Sequence, residues 1–407
     1  MKHHFDIIIV GAGPAGLSAA IHLANSNFKI ALIDKATFPR QKICGGGLSD
    51  RSVNCLKRMP YNIYSDFLKQ PWTRPCNGIV FGDTKGKLLN LKLPDTLTES
   101  WGFVVDRIKF DHFLFQKIEK FSNIKIFQNT NISSVEQATD CITVKSKTEE
   151  FSAKLLIVAD GVNSFLARKL SGTKKVAGSY LISSRFIAEN VADLSPQGHI
   201  ELHFLKETLP FYFWIFPLEN GLANIRTAYS LKFAKKTKKK VFNDVVSIFE
   251  THPRFRERFK DAKIVNKVQT WALSLFSEPI SYSGNRFLLT GDAAQIIDPA
   301  TGEGIGNALL SGEYAAKMAI TACSVQNFTH KFLFQYDQFL YKRIGKEMEQ
   351  RKKLVGIFNS EFIINFLLKR LNSSNYVKSV YENYFNNKLP KWKFYSPLFY
   401  LKLLFAS

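Results

Sequence analysis

Cysteine is scarce in this chain: Cys44, Cys55, Cys76, Cys141 and Cys323 are the five among 407 residues. The number is odd and no two stand at CxxC or zinc-ligand spacing, which speaks against a disulfide framework or a structural zinc site and points to a reducing compartment. Long apolar runs are missing as well. Nothing approaches the roughly 20 consecutive apolar residues that span a bilayer, so no transmembrane helix is expected. Lys2 followed by the apolar stretch from Ile7 to Ala24 resembles a secretory leader, but three glycines at fixed spacing and a second strand over Lys29–Ile33 make it a first βαβ unit. The expected location is therefore cytoplasmic, with peripheral contact at the inner face of a membrane as an extension. Internal repeats and low-complexity segments are absent.

Acidic residues are the other deficit. With 34 Asp and Glu against 56 Lys and Arg, the formal charge is +22, which attracts anionic partners such as phosphates, lipid headgroups or nucleic acid without choosing among them. The excess peaks at Lys235, Lys236, Lys238, Lys239 and Lys240, read as a solvated loop first and an anionic-surface contact second. No nucleic-acid motif accompanies the charge, so nucleic acid is not an expected partner.

What is present begins with a strand, a glycine turn and a helix. Phe5–Val10 (FDIIIV) leads into Gly11, Ala12, Gly13, Pro14, Ala15 and Gly16, then a helical stretch to about Asn25. That is the context a GxGxxG match requires. Gly11 permits the tight turn, Gly13 leaves room for a pyrophosphate against the backbone, and Gly16 lets the helix pack on the strand. Ala15 lies in the same phosphate-facing turn, and Pro14 suits the first helical turn, whose free amides point at the phosphates. Asp34 closes the second strand, 18 residues after Gly16, where its carboxylate can accept hydrogen bonds from adenosine ribose hydroxyls and disfavours a 2′-phosphate. The site is predicted to hold FAD or NAD; the hexapeptide alone also fits a glycine-rich turn in some other α/β protein.

Two further pieces repeat the strand-to-turn pattern. In Leu155–Arg168 an apolar strand ends in Asp160 and Gly161, and Ser164 and Arg168 begin a helix, which places the acidic turn at the carboxyl edge of a parallel sheet. An ordinary capped strand-to-helix turn is the alternative. In Phe287–Gly312 a strand ends in Gly291 and Asp292, whose carboxylate could hold a ribityl hydroxyl, and Gly302, Gly304 and Gly306 open a helix from about Ile305. A helix N-terminus at the pyrimidine edge of a flavin would stabilise the negative charge that collects there on reduction. Without a ligand these glycines are poorly explained, since each costs about 0.5–1 kcal/mol relative to alanine inside an element.

Taken together, the pieces near residues 11, 160 and 292 resemble the three fingerprints of the flavoprotein group that includes aromatic hydroxylases and geranylgeranyl reductases, over roughly residues 1–320. After Asp34, the loop Phe38–Asp50 contains Cys44, Gly45, Gly46, Gly47, Leu48 and Ser49 and is similar to the geranylgeranyl reductase loop whose cysteine and glycines lie beside the flavin. A small buried thiol is the alternative for Cys44. Val104–Leu114 (VVDRIKFDHFL) resembles the family's helix start in which an arginine reaches the cofactor, which makes Arg107 the candidate; a surface arginine is the other reading. In Pro210–Arg226, Tyr212, Trp214, Phe216 and Pro217 match a YxWxFP pattern. Alternation on a strand puts the three aromatics on one face, where they wall a pocket over the flavin or form sheet core. Arg226 stands where a glycine is usual in that family, which leaves the pocket's polarity open.

The resemblance implies an α/β fold: a discontinuous Rossmann-type FAD-binding domain (residues 1–60, 101–172 and 281–330), an antiparallel substrate sheet (61–100 and 173–280), and a helical C-terminal region (331–407) ending in an aromatic and basic tail from Trp392 to Phe405. That tail packs back on the body or sits at a membrane interface. The implied cofactor ligands are Gly11, Gly13, Ala15, Gly16, Asp34, Cys44, Gly45, Gly47, Arg107, Asp160, Gly161, Asp292, Gly302, Gly304 and Ile305. Tyr212, Trp214, Phe216 and Pro217 form the substrate pocket, and Cys44 and Tyr212 are the candidate catalytic groups. A single dinucleotide fingerprint leaves a nicotinamide cofactor no domain of its own, so electrons come from transient NAD(P)H or a protein donor. The implied activity is reduction of a C=C bond in a hydrophobic, isoprenoid or lipid-like small molecule. The alternatives are a flavin monooxygenase acting on an aromatic or apolar substrate, and a flavin-containing protein that binds anionic surfaces. A halogenase would show a pocket lysine and a WxWxIP-type strand, and neither is found. Oligomeric state is not encoded legibly.

Overall fold

The computed structural model describes residues 1–93, 102–173, 179–230, 241–356 and 359–374, with single positions out to 383. The basic run Lys235–Lys240 and the tail Trp392–Phe405 lie outside the described residues.

In chain order the nucleotide fold begins with β1 (Ile7–Val10), α1 (Pro14–Leu23), β2 (Ile30–Ile33) and α2 (Asp50–Arg58). The substrate sheet starts with β3 (Gly78–Gly82) and β4 (Leu88–Lys92), after which α3 (Arg107–Ile118), β5 (Ile124–Phe127), β6 (Leu155–Val158) and α4 (Phe165–Ser171) return to the nucleotide fold. The sheet resumes with β7 (Tyr180–Glu189), β8 (Ile200–His203), β9 (Phe213–Pro217), β10 (Ala223–Ser230), β11 (Lys263–Ile264) and β12 (Gln269–Ser274). Last come β13 (Ser283–Gly284), β14 (Phe287–Leu289), the long α5 (Ile305–Val325), and the helices α6 (His330–Leu340), α7 (Lys346–Val355) and α8 (Glu361–Ser373).

The first sheet runs β13-β14-β6-β1-β2-β5, parallel throughout except at the β13 edge. Its central strands read IIIV, IALI and LLIV, with every residue buried. Unbroken apolar runs, rather than alternation, are what a parallel sheet covered on both faces demands, and each such side chain contributes about 1.5–3 kcal/mol on burial. The order places the three predicted fingerprint strands, β14, β6 and β1, side by side. Helix α1 packs along α5, where Ser18 Oγ donates to the Leu309 carbonyl at 2.7 Å. Gly312 makes the approach possible: a Cβ there would sit 2.1 Å from the Ala15 carbonyl oxygen.

The second sheet runs β11-β7-β10-β9-β8-β3-β4, with β12 also paired to β7. It is antiparallel as expected, with one difference: β8 pairs with β3 in parallel across a long stretch of intervening chain. Period-two patterning reports which face a residue takes but not the direction of its neighbour. One face of this sheet packs Phe186, Phe213, Ile215 and Ile225 against Phe249, Phe255 and Phe259. The other carries a continuous cross-strand row, Arg185–Arg226–Trp214–Leu202–Phe81, set by the register of β7, β10, β9, β8 and β3. The described part of the C-terminal region is helical, and α8 lays Leu371 against Leu89 and Leu91 of β4.

Candidate active site

Three turns at the carboxyl ends of β1, β6 and β14 meet. Gly11 has φ +106°, and a Cβ there would lie 2.2 Å from the Ala159 carbonyl oxygen; at Gly16 it would lie 1.8 Å from the Gly11 oxygen. The glycines are thus required by close approach and by the left-handed backbone at Gly11. Gly291 abuts Ala15 and Ala308, and Ala15, Ala159 and Ala308 form a small cluster drawn from all three segments. Helix α1 starts at Gly13 with no side-chain cap, so its first amides are open to an anion. A Cβ on Gly13 would meet only Arg40 Nη2, at 3.7 Å. This cradle fits a pyrophosphate: clear space, free amides and a cation at its rim.

Asp34 closes β2 as predicted in sequence, and its two oxygens accept from Ala12 N at 2.6 Å and Ala36 N at 2.8 Å. It therefore shapes the glycine turn while leaving lone pairs for a ribose. Asp160 keeps one carboxylate oxygen buried without a partner. Burial raises its pKa against the hydrogen bonds from Ser164 and the start of α4. An orphaned acceptor of this kind fits a ligand hydroxyl. Gly161 stands beside it with φ +84°.

The loop Cys44–Gly47 packs against the second sheet. Gly46 has φ +78°, and a Cβ there would strike the Val105 oxygen at 2.1 Å; Asn224 Nδ2 of β10 donates to the Cys44 and Gly45 carbonyls at 3.1 and 3.2 Å. Below it, Arg107 at the start of α3 is buried and grips Asp111 with two 2.8 Å hydrogen bonds, while Arg40 reaches the same carboxylate at 3.3 Å. Burial by itself pushes the Cys44 thiol up, but Arg107 and Arg226, with the Gly46 amide, outweigh it and hold the pKa below the ordinary thiol value. Lys42, over the Trp271 ring at 4.9 Å, has its pKa lowered by burial.

Between this loop and the second sheet is a cavity of about 400 Å³. Its walls are Tyr212, Trp214 and Phe216 of the aromatic strand, Ile79, Phe81, Ile200 and Leu202 from the neighbouring strands, Cys44–Gly47 on one side and the turn Ala300–Ile305 on the other. Among the described residues, the lining contains no lysine. Gly302, Gly304 and Ile305 face it, and Asp292 lies behind, with Oδ1 3.6 Å from where a Gly304 Cβ would be. Pro217, predicted to belong to the pocket, does not line it: alternation turns Pro217 to the side of Phe213 and Ile215, away from Trp214 and Phe216. Tyr212 lines the cavity with its hydroxyl engaged, donating to the Thr301 carbonyl at 2.9 Å, and burial pushes its pKa up to about 12.

Family profiles and relatives agree with this geometry. The profile of the FAD binding domain family matches residues 4–317. The chain belongs to that family. It is an FAD-dependent oxidoreductase of the geranylgeranyl reductase-like group. It is 28% identical over 321 residues to a menaquinone reductase of Mycobacterium tuberculosis, covering 77% of this chain and 76% of that one. It is 26% identical over 351 residues to the digeranylgeranylglycerophospholipid reductase of Thermoplasma volcanium, covering 84% and 85%. A geranylgeranyl bacteriochlorophyll reductase-like protein of Thermoplasma acidophilum shares the fold, with a TM-score of 0.80 at 22% identity over 92% of this chain and 93% of that one.

Several site residues of this flavoprotein escaped the sequence reading. Asp298 shapes the turn before α5 by accepting from Ala300 N at 2.8 Å and is held by Arg351 of α7. Glu303 accepts from Gly306 N at 2.8 Å and Ser49 Oγ at 2.9 Å, joining that turn to the Cys44 loop. Arg51 binds Asn307 and Glu347, tying α2 to α5 and α7. Only Asp111 carried a usable signal, its i,i+4 spacing from Arg107 on a helix.

Proposed function

We propose that this chain reduces carbon–carbon double bonds in an apolar, isoprenoid-like small molecule. The observation that carries the reading is the cavity: an aromatic and aliphatic wall facing the Cys44–Gly47 loop and the glycine turn before α5. The aligned relatives are named for reduction of menaquinone and of an isoprenoid phospholipid. Gly11, Gly13, Ala15 and Gly16 would hold the pyrophosphate, Asp34 and Asp160 the hydroxyls of the adenosine side, and Asp292, Gly302, Gly304, Ile305 and the loop with Cys44, Gly45 and Gly47 the flavin end. Bound FAD, charged by transient NAD(P)H or a protein donor, supplies the hydride.

The protein's part is to exclude water, orient the alkene and deliver a proton. Tyr212, Trp214 and Phe216 present an aromatic wall that desolvates the substrate. Of the two candidate acids, Cys44 is the better one, because nearby Arg107 and Arg226 favour the thiolate left after proton transfer. The proton of Tyr212 is committed to Thr301, and that tyrosine positions the turn. No described helix is long and apolar enough to cross a membrane, and the +22 charge suits transient contact with an anionic lipid surface that delivers such a substrate.

The reading is tested by air-free turnover with NAD(P)H or dithionite and polyprenyl alkenes, with products analysed by mass spectrometry. The expected product carries one added hydride and one added proton. Cys44→Ser is expected to slow its formation on the order of 100-fold, and Tyr212→Phe far less. A product formed only in air and carrying an added oxygen would assign the chain to the monooxygenases instead.

A further inference from the structure

Among the described residues, Arg226 is a buried cation with no carboxylate facing it. It is 4% exposed, on the cavity-facing side of β10, and lines the apolar chamber. Its Nε donates to Ser183 Oγ, but Nη2 has no partner. Trp214 offers its ring face at 5.0 Å, a partial compensation for a desolvated guanidinium. The register makes matters worse, because Arg185 stands directly opposite Arg226 across β7 and β10, and its Nε also lacks a partner. Like charges in that position destabilise a sheet.

The titratable groups facing Arg226 are Cys44, Arg185 and Tyr212. None is a carboxylate: Asp106, just before α3, offsets the neighbouring Arg185 but is not among the groups facing Arg226. Asp111 is already shared between Arg107 and Arg40. Burial brings Arg226 down to about 10, so it still carries its charge at neutral pH. A buried fork of N–H donors on the wall of the chamber matches the oxygens of a phosphate or carboxylate.

We propose that Arg226, backed by Trp214, forms an oxyanion subsite that selects substrates bearing a single acidic headgroup on an otherwise apolar chain. This rests on the reading of the chamber as an alkene site and names the class of alkene it takes. Molecules without the acid leave the guanidinium desolvated and unpaired, and so bind less well.

The test uses the full-length, flavin-loaded protein titrated with farnesyl monophosphate, farnesoic acid and farnesol, read by tryptophan fluorescence and by the flavin visible spectrum. Three probes with one hydrocarbon chain isolate the headgroup. At least one acid is expected to bind on the order of tenfold tighter than the alcohol; which acid does so identifies the anion as phosphate or carboxylate. In Arg226→Met the preference is expected to fall to within about twofold with alcohol affinity kept, and Arg226→Lys is expected to retain part of it. Equal binding of all three probes to the wild-type protein overturns the proposal, as does a preference that survives in Arg226→Met. So does a shifted flavin potential in Arg226→Met with headgroup preference unchanged, which would assign the arginine to the cofactor. If Arg226→Met does not retain flavin, the wild-type series and Arg226→Lys still decide. Alkene reduction without headgroup preference sinks only the subsite, whereas headgroup preference without alkene reduction sinks only the reductase reading.

Discussion

Cys44 owes its chemistry to neighbours that come from other parts of the chain. Burial opposes its ionisation, and Arg107 and Arg226 reverse that effect. Because the thiolate is the reactive form, a pKa held below the ordinary value keeps Cys44 reactive at lower pH than a free thiol. Its alkylation rate against pH is therefore expected to show a midpoint below that of an unstructured cysteine peptide measured alongside, moving upward in Arg226→Met; a wild-type midpoint at or above the peptide's would contradict the assignment. Asp111 makes a complementary case. Asp111→Ala strands Arg107 and Arg40 without their shared carboxylate, and breaking a buried pair in this way costs about 3–5 kcal/mol, measurable by urea denaturation. A loss under about 1 kcal/mol would place the pair effectively in solvent. Residues of this kind were only partly legible. The sequence displayed Cys44 and Arg107 through their flanking motifs, and Arg226 as a departure from a pattern. That Arg226 faces no carboxylate could not be read, because it depends on what β7, the start of β9 and the Cys44 loop bring to the same place.

At the scale of elements, the close crossing of α1 and α5 sets the geometry of the cofactor cradle. Gly312→Val would press a branched side chain against the Ala15 carbonyl, 2.1 Å from where even a Cβ would lie. Overpacking of this sort costs about 1–3 kcal/mol and tilts the first turn of α1. Thermal melting should show a lowered Tm together with weaker flavin retention; a lowered Tm with full flavin affinity would separate the crossing from the cradle. Strand content here was legible because IIIV, IALI and LLIV are short unbroken apolar runs ended by glycine or acidic turns, the pattern of a parallel core. The direction of the β3 and β8 pairing was not, since the two strands are far apart in sequence and their patterning is the same either way. Pro217 was misplaced for a related reason: a motif groups residues by adjacency, while a strand sorts them by parity.

For the whole molecule, the distinctive feature is convergence: segments near residues 11, 160 and 291 supply adjacent parallel strands, and their turns touch through Ala15, Ala159 and Ala308. Order along the chain announced this arrangement; the ion-pair network from Arg51 and Arg351 to Glu347 that braces the chamber from α7 did not, because no local pattern links α2 with α7. Flavin loading should be equally sensitive to each segment. Gly11→Ala, which forces a side chain into a backbone at φ +106° and within 2.2 Å of Ala159, is expected to yield colourless protein.

The most direct test of the account is a single turnover. The flavin-loaded protein is reduced under argon, a polyprenyl alkene is added, and the return of the oxidised flavin spectrum is followed in time. The account predicts reoxidation by the alkene in the absence of oxygen, with saturation of a C=C bond in step with the flavin signal. A flavin that stays reduced with every alkene and recovers only when air is admitted would contradict it.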